Sequence, residues 1–395
     1  MPDLPHRLPS NAQEWEDAMA ELELTGKTVH GAELASASKI EFKQFMLLRV
    51  LWVTHHAVDL PKMLPGFNGW IAKAEKMLKG YKSWDIYCQS FTRPDSGEGN
   101  FYIARHYQLE VTNTKDETDP ESLTTPVAHR TRARLLGRQR ADEYMESPSR
   151  STNISAALNI EDLRIYDPLD DSEALAPETP IHETLIPETP TPNPSPFAEI
   201  TPAPKEMENQ LYPPTKDEQI VNCALVIFLN ALTVPFKLAN NWTLHRKVFK
   251  AKFDGASFEA RTDGYLDDRR GKAQAIIEVK PVRRSKKSVP IQMQESAQMV
   301  AWIKNDCEMP NPIDMRHFLV AQDRHEIYLI VAQYDHNYIR YLTDSSYSSQ
   351  CSSFMTMHLF GPWDTLELTH MKRLGPILLA VSLRADAEIK RIRSN

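Results

Sequence analysis

Cysteine is scarce. The 395 residues hold four, Cys88, Cys223, Cys307 and Cys351, widely separated and without a C-x-x-C pair. That spacing argues against a zinc ribbon or a dense disulfide framework and favours a reducing compartment. Glycine is also sparse, at 13 residues against 28 prolines, so a proline-rich tract is expected rather than a glycine-rich linker. The most apolar stretch, residues 220–234, is short for a bilayer span and contains Asn222 and Asn230. The opening MPDLPHRLPS lacks the apolar core of a secretory signal. These absences predict an intracellular protein, nuclear or cytoplasmic, with no membrane partner. What is present is ordinary for a globular chain: 41% hydrophobic and 25% charged residues, which excludes collagen, coiled coil and a wholly disordered polymer.

The net charge of −7 hides an asymmetry. Residues 1–214 carry 21 Lys/Arg against 33 Asp/Glu, and residues 215–395 carry 25 against 20. Residues 168–214 hold 12 of the 28 prolines, including the near-repeat APETP (176–180) and IPETP (186–190). Such a tract buries too little apolar surface to offset its ordering entropy. Residues 111–214 are therefore expected to be one long, disordered, acidic, Pro-rich linker.

Two ordered parts flank it. Residues 1–110 read as a small α-rich module with no role-bearing motif. Asn11 is a plausible helix cap, with Glu14 three residues on. Residues 41–58 and 69–80 have helical apolar spacing, and 85–91 and 101–111 look like strands. Residues 215–395 read as a larger domain: a helix at 219–232, a hairpin from 258–266 and 274–282, and a helix at 289–304. Strand candidates follow at 317–322, 326–335, 337–344 and 354–361. A last helix, 365–392, is interrupted near Gly375-Pro376. The expected fold class is α/β (α+β), a mixed sheet flanked by helices.

The hairpin carries the chemistry. Glu278 and Lys280 are two residues apart in a strand, so they share a face, while Ile277 and Val279 point to the other. A turn near 269–270 puts Asp263 opposite about residue 276, within one or two residues of Glu278. Two close carboxylates repel unless a cation lies between them. Hard divalent ions, Mg²⁺ or Mn²⁺, prefer such oxygen ligands. A lysine beside them can stabilise charge at a scissile phosphate. Three Asp/Glu-x-Lys tripeptides occur, at Glu41, Glu278 and Glu388, and only the one at Glu278 lies in an apolar strand. On residue spacing alone, Asp263 and Glu278 could equally pair with Arg261 or Lys280 on a sheet surface.

RTDGYL (261–266), IIEVKP (276–281) and the helix segment QMQESAQM (292–299) together resemble the PD-(D/E)XK nuclease superfamily, whose fold is restriction-endonuclease-like. The chain looks most like the fungal nuclease-like domains that follow an N-terminal module and a disordered linker. The resemblance covers about 215–395. It implies Asp263 and Glu278 as metal ligands, Lys280 as the catalytic lysine and Glu218 in KDEQIVN as a further ligand. It adds Gln294 and Gln298, four apart on one helix face, as supporting residues. Thr262 replaces the proline of the motif. The implied function is Mg²⁺- or Mn²⁺-dependent hydrolysis of DNA or RNA. The alternative is an inactive module of the same fold that binds nucleic acid or protein.

Charge bears on the partner. Residues 242–291 hold 13 Lys/Arg against 6 Asp/Glu. Arg283, Arg284, Lys286 and Lys287 follow the motif strand and could grip a phosphate backbone, or form a solvated loop. Arg130, Arg132, Arg134, Arg138 and Arg140 could serve nuclear import or nucleic-acid contact, or neither. Glu295 is expected at the surface, and His55-His56 with Asp59 on a solvated helix face.

Overall fold

Asn11 caps the first helix, α1 (Ala12–Glu21), its side-chain oxygen accepting from Glu14 N–H at 3.0 Å. The Glu14 carboxylate in turn accepts from Ser10 N–H at 2.9 Å. This is a computed structural model, and it describes residues 4–93, 99–113, 217–306, 316–348 and 351–394. The expected linker, from 114 onward, and the arginine-rich stretch lie outside the described residues.

The apolar stretch 41–58, expected as one helix, divides in two. α2 (Phe42–Leu47) stops short of Arg49, whose φ of 53° prevents the helical run from continuing, and β1 (Val50–His55) follows. The β-branched Val50, Val53 and Thr54 suit a strand better than a helix. α3 (Leu60–Met63), α4 (Asn68–Lys79), α5 (Lys82–Gln89) and α6 (Tyr102–Asn113) come next. The strands expected at 85–91 and 101–111 are thus corrected to helices. Their buried positions explain why: Phe101, Ala104, Gln108 and Val111 fall at intervals of three and four. That is helical spacing, obscured by aromatic residues that also favour strands.

After residue 217 the order is α7 (Glu218–Thr233), β2 (Asn241–Thr243), β3 (Val248–Lys252), β4 (Ser257–Arg261), β5 (Gly264–Asp267) and β6 (Ala273–Lys280). Then come α8 (Ser288–Asp306), β7 (Arg316–Asp323), β8 (Glu326–Gln333), α9 (His336–Thr343), α10 (Ser345–Ser348), β9 (Met355–Asp364) and α11 (Leu368–Ser394). Asp217 caps α7 through Gln219 N–H at 2.9 Å. By length and composition Glu218–Phe236 could cross a bilayer. Here α7 packs between the sheet and α6 and α11, which accounts for its apolar character. Residues 337–344, expected as a strand, form α9, with Tyr338, Tyr341 and Leu342 buried at helical intervals. α11 runs through Pro376 without a break. A Cβ at Gly375 would collide with the Trp84 indole, so the glycine lets α5 lie directly on α11.

Seven strands form one mixed sheet in the order β1-β9-β8-β7-β6-β5-β2. β1/β9 and β6/β7 are parallel and the other neighbours antiparallel. A parallel β6–β7 pair needs a long crossover, which α8 supplies. β3 and β4 make a separate antiparallel ribbon. One sheet face is covered by α1, α2, α8, α9 and the ribbon, the other by α4, α5, α6, α7 and α11. Residues before 113 feed both cores and supply β1, so the described residues form one compact unit rather than the separate N-terminal module expected.

Candidate metal-binding and catalytic site

The site forms where β5, β6, α7 and α8 meet. Gly264 pairs with Ile277 across the hairpin, which sets Asp263 beside Glu278. This register is two residues from the expected one. The turn closes at Asp268 N–H to Lys272 O, 3.1 Å, one residue later than expected, and an irregularity at Leu266/Asp267 adds a residue on β6.

Asp263 is fixed by its backbone and its side chain. Its N–H donates to Ile277 O at 3.0 Å, and its Oδ2 accepts from Val279 N–H at 3.1 Å. Arg246 Nη2 lies 3.5 Å from Asp263 Oδ1, and Asn222 Nδ2 donates to the Asp263 carbonyl at 2.9 Å. Glu278 is 2% exposed. Its Oε1 accepts from Lys280 Nζ and Gln294 Nε2, and its Oε2 from Gln298 Nε2 at 2.5 Å. Glu218, the first residue of α7, meets the Lys280 ammonium at 3.2 Å.

Glu218, Asp263 and Glu278 each offer a carboxylate oxygen within 4.8 Å of the others. Oxygens on opposite sides of an octahedral Mg²⁺ are about 4.2 Å apart. The donor set therefore suits a hard divalent cation. A second observation agrees. Gln298 Nε2 donates to both Arg261 O, at 2.8 Å, and Glu278, which fixes the amide orientation. Gln298 Oε1 is then buried without a hydrogen-bond partner among the described residues, an acceptor suited to a bound water.

Electrostatics follow from burial. Desolvation pushes Glu278 well above the usual carboxylate range, Asp263 adds to the shift, and Lys280 opposes it. Desolvation also raises Glu218, with Lys280 opposing and Asp263 adding. Burial would lower Lys280, but the three carboxylates, Glu278 foremost, outweigh it and hold the ammonium above its usual range.

All six residues expected from the motif strand and its two helices come together: Asp263, Glu278, Lys280, Glu218, Gln294 and Gln298. The expected phosphate grip does not join them. Arg284, 4% exposed, forks onto Glu295 and reaches Asp323 Oδ2 at 2.6 Å. Arg283 Nη2 holds Glu326 Oε1 at 2.6 Å. Glu295, expected at the surface, is wholly buried and draws Arg284 inward as its counterion. Lys286 is half-buried and Lys287 exposed, on the turn that leads into α8. His55 lies on β1 rather than a helix, with Nε2 3.0 Å from His358 Nδ1. Asn222 and Arg246 are site residues that the motif does not announce. Asn222 was accessible to sequence reading, four residues after Glu218 on one helix face. Arg246 carried no signal.

No protein-family model, curated protein or solved structure matches the chain. The functional reading therefore rests on the geometry of this site.

Proposed function

We propose that this protein is a divalent-metal-dependent nuclease, hydrolysing phosphodiester bonds of DNA or RNA. The observation that carries the reading is the convergence of three carboxylates, from α7, the start of β5 and β6, around one lysine ammonium. It accords with the resemblance to PD-(D/E)XK nucleases.

Asp263, Glu278 and Glu218 would hold the cation, which when bound neutralises charge at a scissile phosphate and acidifies a water. The chain's own residues supply position. Val279 N–H and Arg246 aim the Asp263 carboxylate. Gln294 and Gln298 hold both oxygens of Glu278, the arrangement that keeps a ligand oriented. Lys280 keeps its proton and offers N–H donors to an oxygen that gains charge.

A second reading has its own observation. Lys280 and Gln294 both occupy Glu278 Oε1, so the ammonium already satisfies the carboxylates. An inactive module that binds nucleic acid would keep that arrangement. One experiment separates the two: the full chain with single- and double-stranded DNA and RNA, in Mg²⁺, Mn²⁺ or EDTA. Metal-dependent cleavage, lost in Asp263→Ala and Lys280→Ala, is the expected result. No cleavage of any substrate, or equal cleavage by the variants, would overturn the nuclease reading.

A further inference from the structure

The β3–β4 ribbon separates its two faces by chemistry. Phe249, Ala251, Phe258 and Ala260 point inward and are buried in the core beneath. The outward positions are Val248, Lys250 and Lys252 on β3, and Ser257, Glu259 and Arg261 on β4. The register sets Lys250 opposite Glu259, Lys252 opposite Ser257 and Val248 opposite Arg261. Arg261, 64% exposed, binds Glu259 at 2.8 Å, so the one acid on this face is already paired. Asp254, at the ribbon tip, bonds Ser345.

This face leads into the carboxylate site. Arg261 is two residues before Asp263. Arg246, 43% exposed, stands at the base of β3 and reaches Asp263 Oδ1. Arg246, Lys250 and Lys252 therefore form a line of exposed cations running outward from the site. Alternate residues on a strand are about 6.6 Å apart, close to the separation of neighbouring phosphates on one strand.

We infer that the outer face of the β3–β4 ribbon is where the phosphodiester backbone of a nucleic acid is held, with Lys250 and Lys252 contacting phosphates beside the bond presented to Asp263. This rests on the nuclease reading for its choice of polyanion. It also moves the nucleic-acid contact away from Arg283 and Arg284, whose charges are engaged by Glu326, Glu295 and Asp323.

The test measures binding separately from cleavage. Fluorescent single- and double-stranded oligonucleotides are titrated with the full chain in EDTA, and anisotropy is read across a salt series. Lys250→Glu/Lys252→Glu should bind roughly tenfold more weakly at low salt and lower the log–log salt slope by about 2, about 1 for each phosphate no longer neutralised. Its thermal melt should match that of the parent, since both side chains are exposed. A neutral pair, Lys250→Gln/Lys252→Gln, should fall between. Unchanged affinity and slope in the reversed pair, or no binding by the parent chain, would overturn the surface. Binding that depends on Lys250 and Lys252 in a chain that never cleaves would support the surface while overturning the nuclease reading.

Discussion

Lys280 Nζ lies 3.2 Å from Glu218 Oε1, tying the first turn of α7 to the end of β6. The same ammonium bonds Glu278, so it balances one buried and one half-buried carboxylate, with no other lysine paired to either among the described residues. Lys280→Met removes that balance. Without metal at neutral pH the variant should lose roughly 3 kcal/mol of stability, the usual cost of breaking a buried pair. Divalent cations should then restore more of its melting temperature than they add to the parent, while cleavage falls by about 100-fold or more. A thermal-shift series in Mn²⁺ and EDTA checks this, and equal metal-induced shifts in both proteins would count against it.

Gln298 is the fixed point on the other side of Glu278. Its amide spans Arg261 O and the carboxylate, and its rotamer is set by burial in α8. Gln298→Ala should reduce metal affinity or activity by about 10- to 100-fold, as loss of a ligand-orienting partner does. Calorimetric titration of Mn²⁺ would show the loss as weaker binding with unchanged stoichiometry.

How much of this was legible in the sequence depends on what each residue needed in order to be read. The cap at Asn11, the long helices α7 and α8, and strands β6, β8 and β9 follow from local pattern. Glu278 and Lys280 share a site because a strand alternates, and Gln294 and Gln298 because a helix repeats. Those rules are local. β1 was not legible, because its parallel partner β9 is some 300 residues away and only that pairing makes residues 50–55 a strand. Arg284 was not legible either. A basic run reads as solvated unless Glu295 and Asp323 are known to lie beneath it. Aromatic residues misled at 85–91, 101–111 and 337–344, where they serve helix packing rather than strand pairing.

Arg284 thus changes from a phosphate contact to a core residue, and the two roles differ in their consequences. Its guanidinium forks onto Glu295, bonds Asp323 and stacks 4.5 Å from the Tyr328 ring centre. Arg284→Ala should destabilise the fold by about 3–5 kcal/mol, because two buried acids lose their counterion. Arg284→Lys should recover only part of that, since an ammonium cannot replace the planar fork. Urea denaturation of both variants reads the effect. Normal stability with reduced nucleic-acid binding would return Arg284 to the phosphate-gripping role.

The unity of the fold can be tested by cutting it. A chain of residues 215–395 lacks β1 and leaves β9 as an open edge, and it strips α4, α5 and α6 from one sheet face. It should bind a hydrophobic dye and melt without a sharp transition. A milder probe of the same packing is Gly375→Val, which forces Trp84 off α11. It should lower the melting temperature of the full chain without altering the carboxylate site. A cooperative melt from the fragment would show that the C-terminal part folds alone.

Two half-buried histidines contribute to the acid side of the stability profile. His317 holds the Tyr334 hydroxyl at 2.9 Å with its ring edge-on to Trp302, and burial, reinforced by Arg384 and Lys272, pushes its pKa down to about 3. His358 is pushed down to about 4 by burial, with His55 and Arg316 adding. In the unfolded chain both take a proton near 6.5, while in the fold they stay neutral. The unfolded state therefore binds more protons below about pH 6.5, and stability falls as pH drops from there toward 3–4. Glu278 and Glu218 act in the opposite sense. Their raised values mean the fold takes up protons first, so stability is regained as pH falls toward 4.5. The two effects share one window and must be separated by substitution. Replacing His317 and His358 with Gln should reduce the drop in melting temperature between about pH 7 and pH 5, leaving the carboxylates to flatten or invert the profile. An equal drop in the variants would mean that neither histidine is held neutral by the fold.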